Sequence, residues 1–437
     1  MGVVIAGGGL AGLTAALRAT ELGARGTLLE KGDRPGGSFV LSSGYVWSYK
    51  NMPTFRREAP GGDATLQELI LERLGSGLDW LEGVGGVRLA RETGNPLTFG
   101  ARFDPEQTVA ALVDRVRASG GEILTGTALE ALLEGTAGRI TGVRATSSET
   151  REEYGADAVV LASGGFAANP DLVGRHITGA RGRMLVRAHP RSTGDGFLAA
   201  LESGALASTG LDEFYGRNLP APPAEFPPER FVEVSQLYGR HAVAVNARGE
   251  RYTDEGADWS ETDLARATAR QPGLYAWYVL DVAGLEARVR ERTVKEMVEV
   301  ARSTGGTVLE AASLEELADE LAERGVPRDA VLRTLEEYNA AIATGQGISP
   351  PRTGPARPLR DAPFVAVKVA PSITHTVGGL AVDAGCRVLR REDERPIQGL
   401  YAAGVEVGGV SVGGYTSGLA SALVFGKTAA ESAVADG

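Results

Sequence analysis

The apolar run Val3-Val4-Ile5-Ala6 leads directly into Gly7-Gly8-Gly9-Leu10-Ala11-Gly12, and Leu13 to Leu22 then reads as a helix. A G-x-G-x-x-G turn between a strand and a helix is a dinucleotide fingerprint. Gly7 permits the tight turn, Gly9 lets the backbone approach a pyrophosphate, and Gly12 lets helix and strand pack closely. The first helical turn, with Leu10 and Ala11, offers N–H groups and a positive dipole end to that pyrophosphate. Glu30 closes the next apolar run, Thr27-Leu28-Leu29, and its carboxylate can accept hydrogen bonds from ribose hydroxyls. The fingerprint commits the chain to an α/β fold built on a parallel sheet.

At 437 residues the chain exceeds one hydrophobic core, so two domains are expected. A net charge of −11 argues against a nucleic-acid surface. The single cysteine, Cys386, excludes internal disulfides, haem attachment through a Cys pair, and an iron–sulfur cluster held by this chain alone. No apolar run reaches the length of a membrane span and the N-terminus enters a strand directly, so a cytoplasmic location is expected. No His, Asp or Glu cluster has metal-ligand spacing.

Further along, Lys31 opens a loop that runs to Gly36-Gly37-Ser38, where two glycines and a hydroxyl can wrap a phosphate. Ser42-Ser43-Gly44-Tyr45 is a second small-residue stretch, where a ring can lie against backbone. Leu66 to Leu81 has helical spacing with a break expected at Gly75 to Gly77, and Asp104-Pro105 starts another helix. Ala158 to Ala162 is a buried strand ending in Ser163-Gly164-Gly165-Phe166. Thr193-Gly194-Asp195-Gly196 precedes a short helix, with Asp195 readable as its cap. From about Leu211 the texture becomes Pro-rich, Val243 to Tyr252 reads as strand, turn, strand, and charged amphipathic helices follow near Ser313 to Arg324 and Arg328 to Ala343. Pro350 to Pro363 reads as a return linker. Gly-rich, apolar sequence then resumes with Thr376-Val377-Gly378-Gly379 and Gly399 to Gly404. It ends in Gly413-Gly414-Tyr415-Thr416-Ser417-Gly418 before a last helix.

Together these residues resemble the fumarate reductase / 3-ketosteroid dehydrogenase superfamily of FAD-dependent flavoproteins, nearly end to end. The resemblance implies a Rossmann-like FAD-binding domain of the glutathione-reductase type, split in sequence as 1–210 and 356–437. It implies an inserted α+β cap domain at 211–355. FAD is the implied cofactor, non-covalent because the loop Gly36 to Trp47 has no histidine. To the cofactor set already quoted it adds Ala128, Ala162, Asn169, Asp195, Gly404, Glu406, Leu419 and Ala420. Leu419 and Ala420 enter as backbone donors beside Ser417.

The departures bear on chemistry. Fumarate reductases carry an arginine proton donor after the sequence that here reads Arg251 to Glu255, yet Gly256-Ala257-Asp258-Trp259 has none. Their substrate-carboxylate arginine is also absent from Gly409 to Gly414. Fumarate is therefore not the expected substrate. Tyr415-Thr416-Ser417-Gly418-Leu419 resembles the Tyr-x-Ser-Gly-Leu of ketosteroid dehydrogenases.

Desaturation beside a carbonyl needs an enolate-stabilising donor, a base for the α proton and a hydride acceptor. Tyr415 is the candidate for acid/base work or carbonyl polarisation, with Ser417 as hydroxyl partner; the alternatives are a packed aromatic and a plain N-cap. His375 is a candidate substrate contact or a loop-orienting histidine. Tyr238 falls where fumarate reductases carry a proton-relay arginine, and reads either as a relay or as a core aromatic. Tyr45 is a candidate for the flavin face, while Arg251 and Glu255 look like a structural ion pair. The expected activity is hydride transfer at a carbon–carbon bond next to a carbonyl, in a ketosteroid-like or other apolar cyclic ketone or enone. The electron partner and the direction stay open. A flavin oxidase or hydroxylase, and a non-catalytic flavin-binding partner protein, are the competing readings.

Overall fold

A computed structural model describes residues 1–147, 150–179, 182–257, 261–354 and 356–437. The chain forms two compact units. The first comprises Met1–Leu172, Ala188–Phe214 and His375–Gly437; the second comprises Val173–Arg187 and Tyr215–Thr374.

The first unit is built on a six-stranded sheet. Strand β1 (Gly2–Ala6) lies between β2 (Arg25–Glu30) and the strand Ala158–Leu161, parallel to both, with Ile5 opposite Leu28 and Val160. Glu122–Thr125 extends the sheet beyond β2 in parallel, and Pro396–Ala402 extends it beyond Ala158–Leu161. Arg387–Leu389 closes that edge antiparallel. The central strands are buried on both faces, which is why they read as unbroken apolar runs. Helix α1 (Leu10–Glu21) packs against the C-terminal helix Gly418–Asp436. A Cβ on Gly426 would lie 2.6 Å from the Ala11 carbonyl oxygen, so glycine sets the closeness of that crossing. Outside the crossing, Arg18 and Arg73 both reach the Glu431 carboxylate, at 2.9 and 2.7 Å.

Ala64–Gly83 is one continuous helix, capped by the Asp63 carboxylate on Leu66 N–H. The break expected at Gly75 to Gly77 does not occur. Gly77 makes room for a neighbour instead, since a Cβ there would meet Leu423 at 3.3 Å, whereas one on Gly75 would make only an ordinary contact with Phe99 at 3.7 Å. Asp104 caps Pro105–Ala118 through Gln107 N–H, as its position before Pro suggests. Asp195 is not a cap. Gly194, with φ +84°, takes that position, and Asp195 is the first residue of the helix Asp195–Glu202.

In the second unit the long strand Phe364–Thr376 organises the sheet. Ala276–Leu280 pairs with it antiparallel and carries Val243–Val245 beyond, while Leu185–Val186 pairs with it in parallel. The sheet is covered on both sides. Trp277 and Val279 face the helices Leu314–Ala322 and Arg328–Thr344, whereas Tyr278 and Leu280 face Val294–Ser303. After Val243–Val245 only Arg251 bridges back, to Val245, so the expected second strand is a single pairing. Arg251 and Arg352 both bind the Glu255 carboxylate, at 2.6 and 3.3 Å, and all three side chains are at most 2% exposed. That buried cluster anchors the Pro-rich return segment through Arg352 and through Arg251 donating to Pro350 O at 2.7 Å.

The second unit is larger than the expected insert 211–355. It takes in Val173–Arg187 and runs on to Thr374, because Leu185–Val186 and Phe364–Thr376 are hydrogen-bonded strands of its own sheet. No helix among the described residues is long and apolar enough to cross a membrane.

Candidate active site

The turn after β1 has the shape its glycines require. A Cβ on Gly7 (φ +111°) would lie 2.3 Å from the Ala162 carbonyl oxygen, and one on Gly12 would lie 1.8 Å from Gly7 O. Gly9, the N-cap of α1, differs: nothing stands within 4 Å of the position its Cβ would take. Gly36 N–H reaches Gly8 O at 2.9 Å and brings the second glycine loop alongside. Buried Glu30 accepts Gly8 N–H at 2.8 Å on one oxygen and Gly32 N–H at 2.5 Å on the other. Ala128 begins the strand that follows, where Thr127 N–H donates to Glu30 O at 2.9 Å.

The Lys31 ammonium meets Asp195 at 2.8 Å and Thr193 at 2.6 Å. Asn169 donates to Thr193 O at 2.9 Å. Glu406 is completely buried. Its Oε2 accepts from Ser163 Oγ (2.6 Å), Gly164 N–H (3.1 Å) and Gly165 N–H (3.3 Å), while Oε1 has no hydrogen-bond partner among the described residues. Burial raises the Glu406 pKa, against the lowering effect of those donors.

A second group of residues gathers ahead of the C-terminal helix. Gly413 has φ +77°, and a Cβ on Gly414 would lie 1.7 Å from Glu58 O, so the chain passes here only as glycine. The Glu213 carboxylate accepts Gly413 N–H with both oxygens, at 2.9 and 3.2 Å. The half-buried Tyr415 ring meets Trp47 edge-on (centroids 5.4 Å, 75°) and lies tilted beside His375 (6.2 Å, 38°). Its carbonyl oxygen accepts the Tyr49 hydroxyl at 2.7 Å.

Ser417 occupies the N-cap position without capping; its Oγ donates to Tyr45 O at 3.1 Å. Ala420 N–H turns back to Ser417 O at 3.0 Å, within the helix, and Leu419 occupies the turn between them. His375 Nδ1 lies 3.1 Å from Thr376 O. A carbonyl only accepts, so Nδ1 carries a proton. The ring's other nitrogen lies 3.2 Å from where a Gly418 Cβ would stand. His375, Thr376, Ser411 and Thr416 help line a cavity of about 20 Å³, room for one water.

A family described as FAD binding domain matches residues 2–423. The chain belongs to that FAD-binding family. NADH:fumarate oxidoreductase of Klebsiella pneumoniae (strain 342) is 27% identical over 458 residues, covering 99% of this chain and 47% of that protein. The chain thus spans about half the length of that relative. A probable fumarate reductase of Shewanella frigidimarina (strain NCIMB 400) is also 27% identical, covering 99% of this chain and 74% of its own. The fold is that of 3-ketosteroid delta1-dehydrogenase from Sterolibacterium denitrificans. Its structure superposes with a TM-score of 0.79 at 19% identity, over 100% of this chain and 99% of that one.

The residues expected at the nucleotide fit FAD on three counts. Gly9 faces open space in a turn where Gly7 and Gly12 have none, so its lack of a side chain leaves room that the protein itself does not fill. Glu406 Oε1 is a buried polar atom with no hydrogen-bond partner among the described residues, and a flavin nucleotide's hydroxyls would supply one. Glu30 uses one acceptor site on each oxygen and keeps capacity for ribose hydroxyls.

Other expected positions are engaged by the protein. Ser38 Oγ accepts His189 N–H at 2.9 Å. Ser42 Oγ accepts Gly44 N–H at 3.0 Å, and Arg102 donates to Ser43 O at 3.1 Å. A Gly37 Cβ would lie 3.1 Å from Gly9 Cα, and a Gly404 Cβ 2.9 Å from the Ala11 Cβ, so both glycines also serve packing.

Tyr238 is packed as a core aromatic of the second unit. It is fully buried, edge-on to Tyr278, with its hydroxyl donated to Gln236 Oε1 at 2.8 Å. Burial pushes its pKa far up. Asp258 and Trp259, in the segment without arginine, lie outside the described residues.

Trp47, Tyr49 and Glu213 were not legible as site residues. The signal for the first two was there: Tyr45, Trp47 and Tyr49 alternate, which on a strand places them on one face.

Proposed function

We propose that this chain binds FAD non-covalently and exchanges a hydride at a carbon–carbon bond beside a carbonyl, on an apolar cyclic ketone or enone. The observation that carries the reading is Tyr415 held between Trp47 and His375 directly ahead of the C-terminal helix. The first βα turn, Glu30, the Gly36-Gly37-Ser38 loop and the Ser163–Glu406 pair would hold the nucleotide, and the loop Gly36 to Trp47 offers no histidine for a covalent link. Bound FAD supplies the hydride acceptor for desaturation and the donor for the reverse.

The protein's own groups do the rest. The Tyr415 hydroxyl both donates and accepts, so it can polarise a substrate carbonyl or move the α proton. The N-terminus of Gly418–Asp436 favours negative charge developing nearby. His375, with its proton on Nδ1 held by Thr376 O, turns its other nitrogen toward that helix start, where it would contact substrate. Neither 256–259 nor 409–414 contains arginine. A dicarboxylate would lack the guanidinium forks that suit it, whereas a neutral ketone needs none.

The test is an anaerobic titration of the FAD-loaded protein with a saturated 3-ketosteroid, and of the dithionite-reduced protein with cyclohexenone, a 3-ketosteroid enone and fumarate. Flavin absorbance should respond to a cyclic substrate and not to fumarate. Tyr415→Phe should slow that response about a hundredfold with the oxidised flavin spectrum intact. A Tyr415→Phe protein at the wild-type rate refutes the role given to Tyr415, and fumarate as the best substrate refutes the substrate class. Rapid reoxidation by oxygen with peroxide formation would point to an oxidase.

A further inference from the structure

The segment 411–417 lies against the strand Tyr45–Tyr49 at three points. Tyr49 OH donates to Tyr415 O at 2.7 Å, the Trp47 ring meets the Tyr415 ring at 5.4 Å, and Ser417 Oγ donates to Tyr45 O at 3.1 Å. The strand has fixed side-chain alternation, and Thr98–Phe103 pairs with it across its whole length, so these contacts stand on a rigid element. Tyr49 is the most enclosed member of the group. It is 1% exposed, its ring packed between Trp47 (5.5 Å, 88°) and Phe55 (5.1 Å, 55°). A phenol so enclosed has few orientations, which directs its hydroxyl at one carbonyl. That carbonyl belongs to Tyr415, the residue directly after Gly413-Gly414.

We propose that Tyr49 is a positioning residue: its buried hydroxyl fixes the backbone of Tyr415 and, with Trp47, sets the direction of the Tyr415 ring. The inference rests on the reading that Tyr415 acts on substrate, and adds that the strand Tyr45–Tyr49 is the template for that residue. Orientation errors well below the size of an atom lower rates strongly, so one hydrogen bond to a carbonyl can matter to chemistry while contributing little to stability.

Tyr49→Phe keeps the ring and removes only the donor, so the fold and the flavin band should persist, checked by thermal melting of the FAD-loaded protein. Two measurements on that holoenzyme test the inference. Backbone hydrogen exchange needs no substrate, and it should speed up at 413–417 while the flanking strand 98–103 stays unchanged. Reoxidation of the dithionite-reduced holoenzyme by cyclohexenone should slow about tenfold at saturation, with the half-saturating concentration within about twofold of wild type.

In a Tyr415→Phe background the added Tyr49→Phe change should cost nothing more, since the group being positioned is gone. Unchanged exchange at 413–417, or equal slowing in both backgrounds, overturns the inference. If Tyr415→Phe alone reacts at the wild-type rate, the reading of Tyr415 fails and the role of Tyr49 falls with it. That failure is recognisable because the exchange change in Tyr49→Phe would remain.

Discussion

Glu406 concentrates the logic of the nucleotide site in one side chain. One of its oxygens takes three donors from the Ser163-Gly164-Gly165 turn, and the other is buried without a partner. Burial of a carboxylate favours its protonated form, so the folded-state pKa is raised. The folded protein holds this proton above the ordinary glutamate range, so the stability it contributes is present below that range and is lost as pH rises through the raised folded value. FAD-free protein should therefore melt lower as pH rises from the carboxylate range toward neutrality, and Glu406→Gln should flatten that slope. Above that raised value, where Glu406 is ionised, the same variant should bind FAD several-fold more weakly, since a hydrogen bond to a charged acceptor contributes about 1.5–3 kcal/mol against about 1 kcal/mol for a neutral one. Melting curves across pH and a fluorescence titration with FAD check both parts. Equal slopes in wild type and variant would remove the linkage argument.

At the scale of elements, the βα turn separates two kinds of glycine that the fingerprint writes with one letter. Gly12→Ala forces a methyl group to 1.8 Å from Gly7 O, so it should destabilise the protein with or without FAD. Gly9→Ala meets no protein atom within 4 Å, and its φ of −72° suits alanine. It should leave the melting temperature of FAD-free protein nearly unchanged while weakening FAD binding at least about tenfold. A large loss of FAD-free stability in Gly9→Ala would show that the open space is not the cofactor's.

This contrast also explains what the sequence made legible. A tight turn imposes its demand locally, residue by residue, so the strand, the glycines, Glu30 and α1 were all readable. Gly75 and Gly77 do not break their helix: the demand on Gly77 is made by Leu423, a partner distant in sequence, and Gly75 meets none. Tyr49 and Glu213 were missed for the same reason: each holds a loop about 200 residues or more further on, through the Tyr415 carbonyl and Gly413 N–H. For Tyr238 the sequence left relay and core aromatic side by side, because the packing around it comes from partners such as Tyr278 that local pattern does not show.

At the scale of the whole molecule, the residues proposed to hold FAD come from widely separated stretches of sequence, including Gly7–Gly12, Glu30, Asp195 and Glu406, yet all fall within the first unit. The second unit has two apolar clusters of its own, on either side of the sheet built around Phe364–Thr376. Its core strand Ala276–Leu280 is buried throughout and makes no contribution to the proposed nucleotide contacts. A ligand that binds only the native state stabilises by mass action, about 2.7 kcal/mol at a hundredfold excess over Kd, and it suppresses first the local openings of the segments it touches. Adding FAD to the FAD-free protein should therefore slow short-time hydrogen exchange at 7–12, 30–38, 163–165 and 404–406. Exchange at 276–280 should stay as it was. Equal protection of both sets would mean that the two units open together, and the cofactor would then be stabilising the chain as a single cooperative body. Protection confined to the first unit would make the second an independently stable structure.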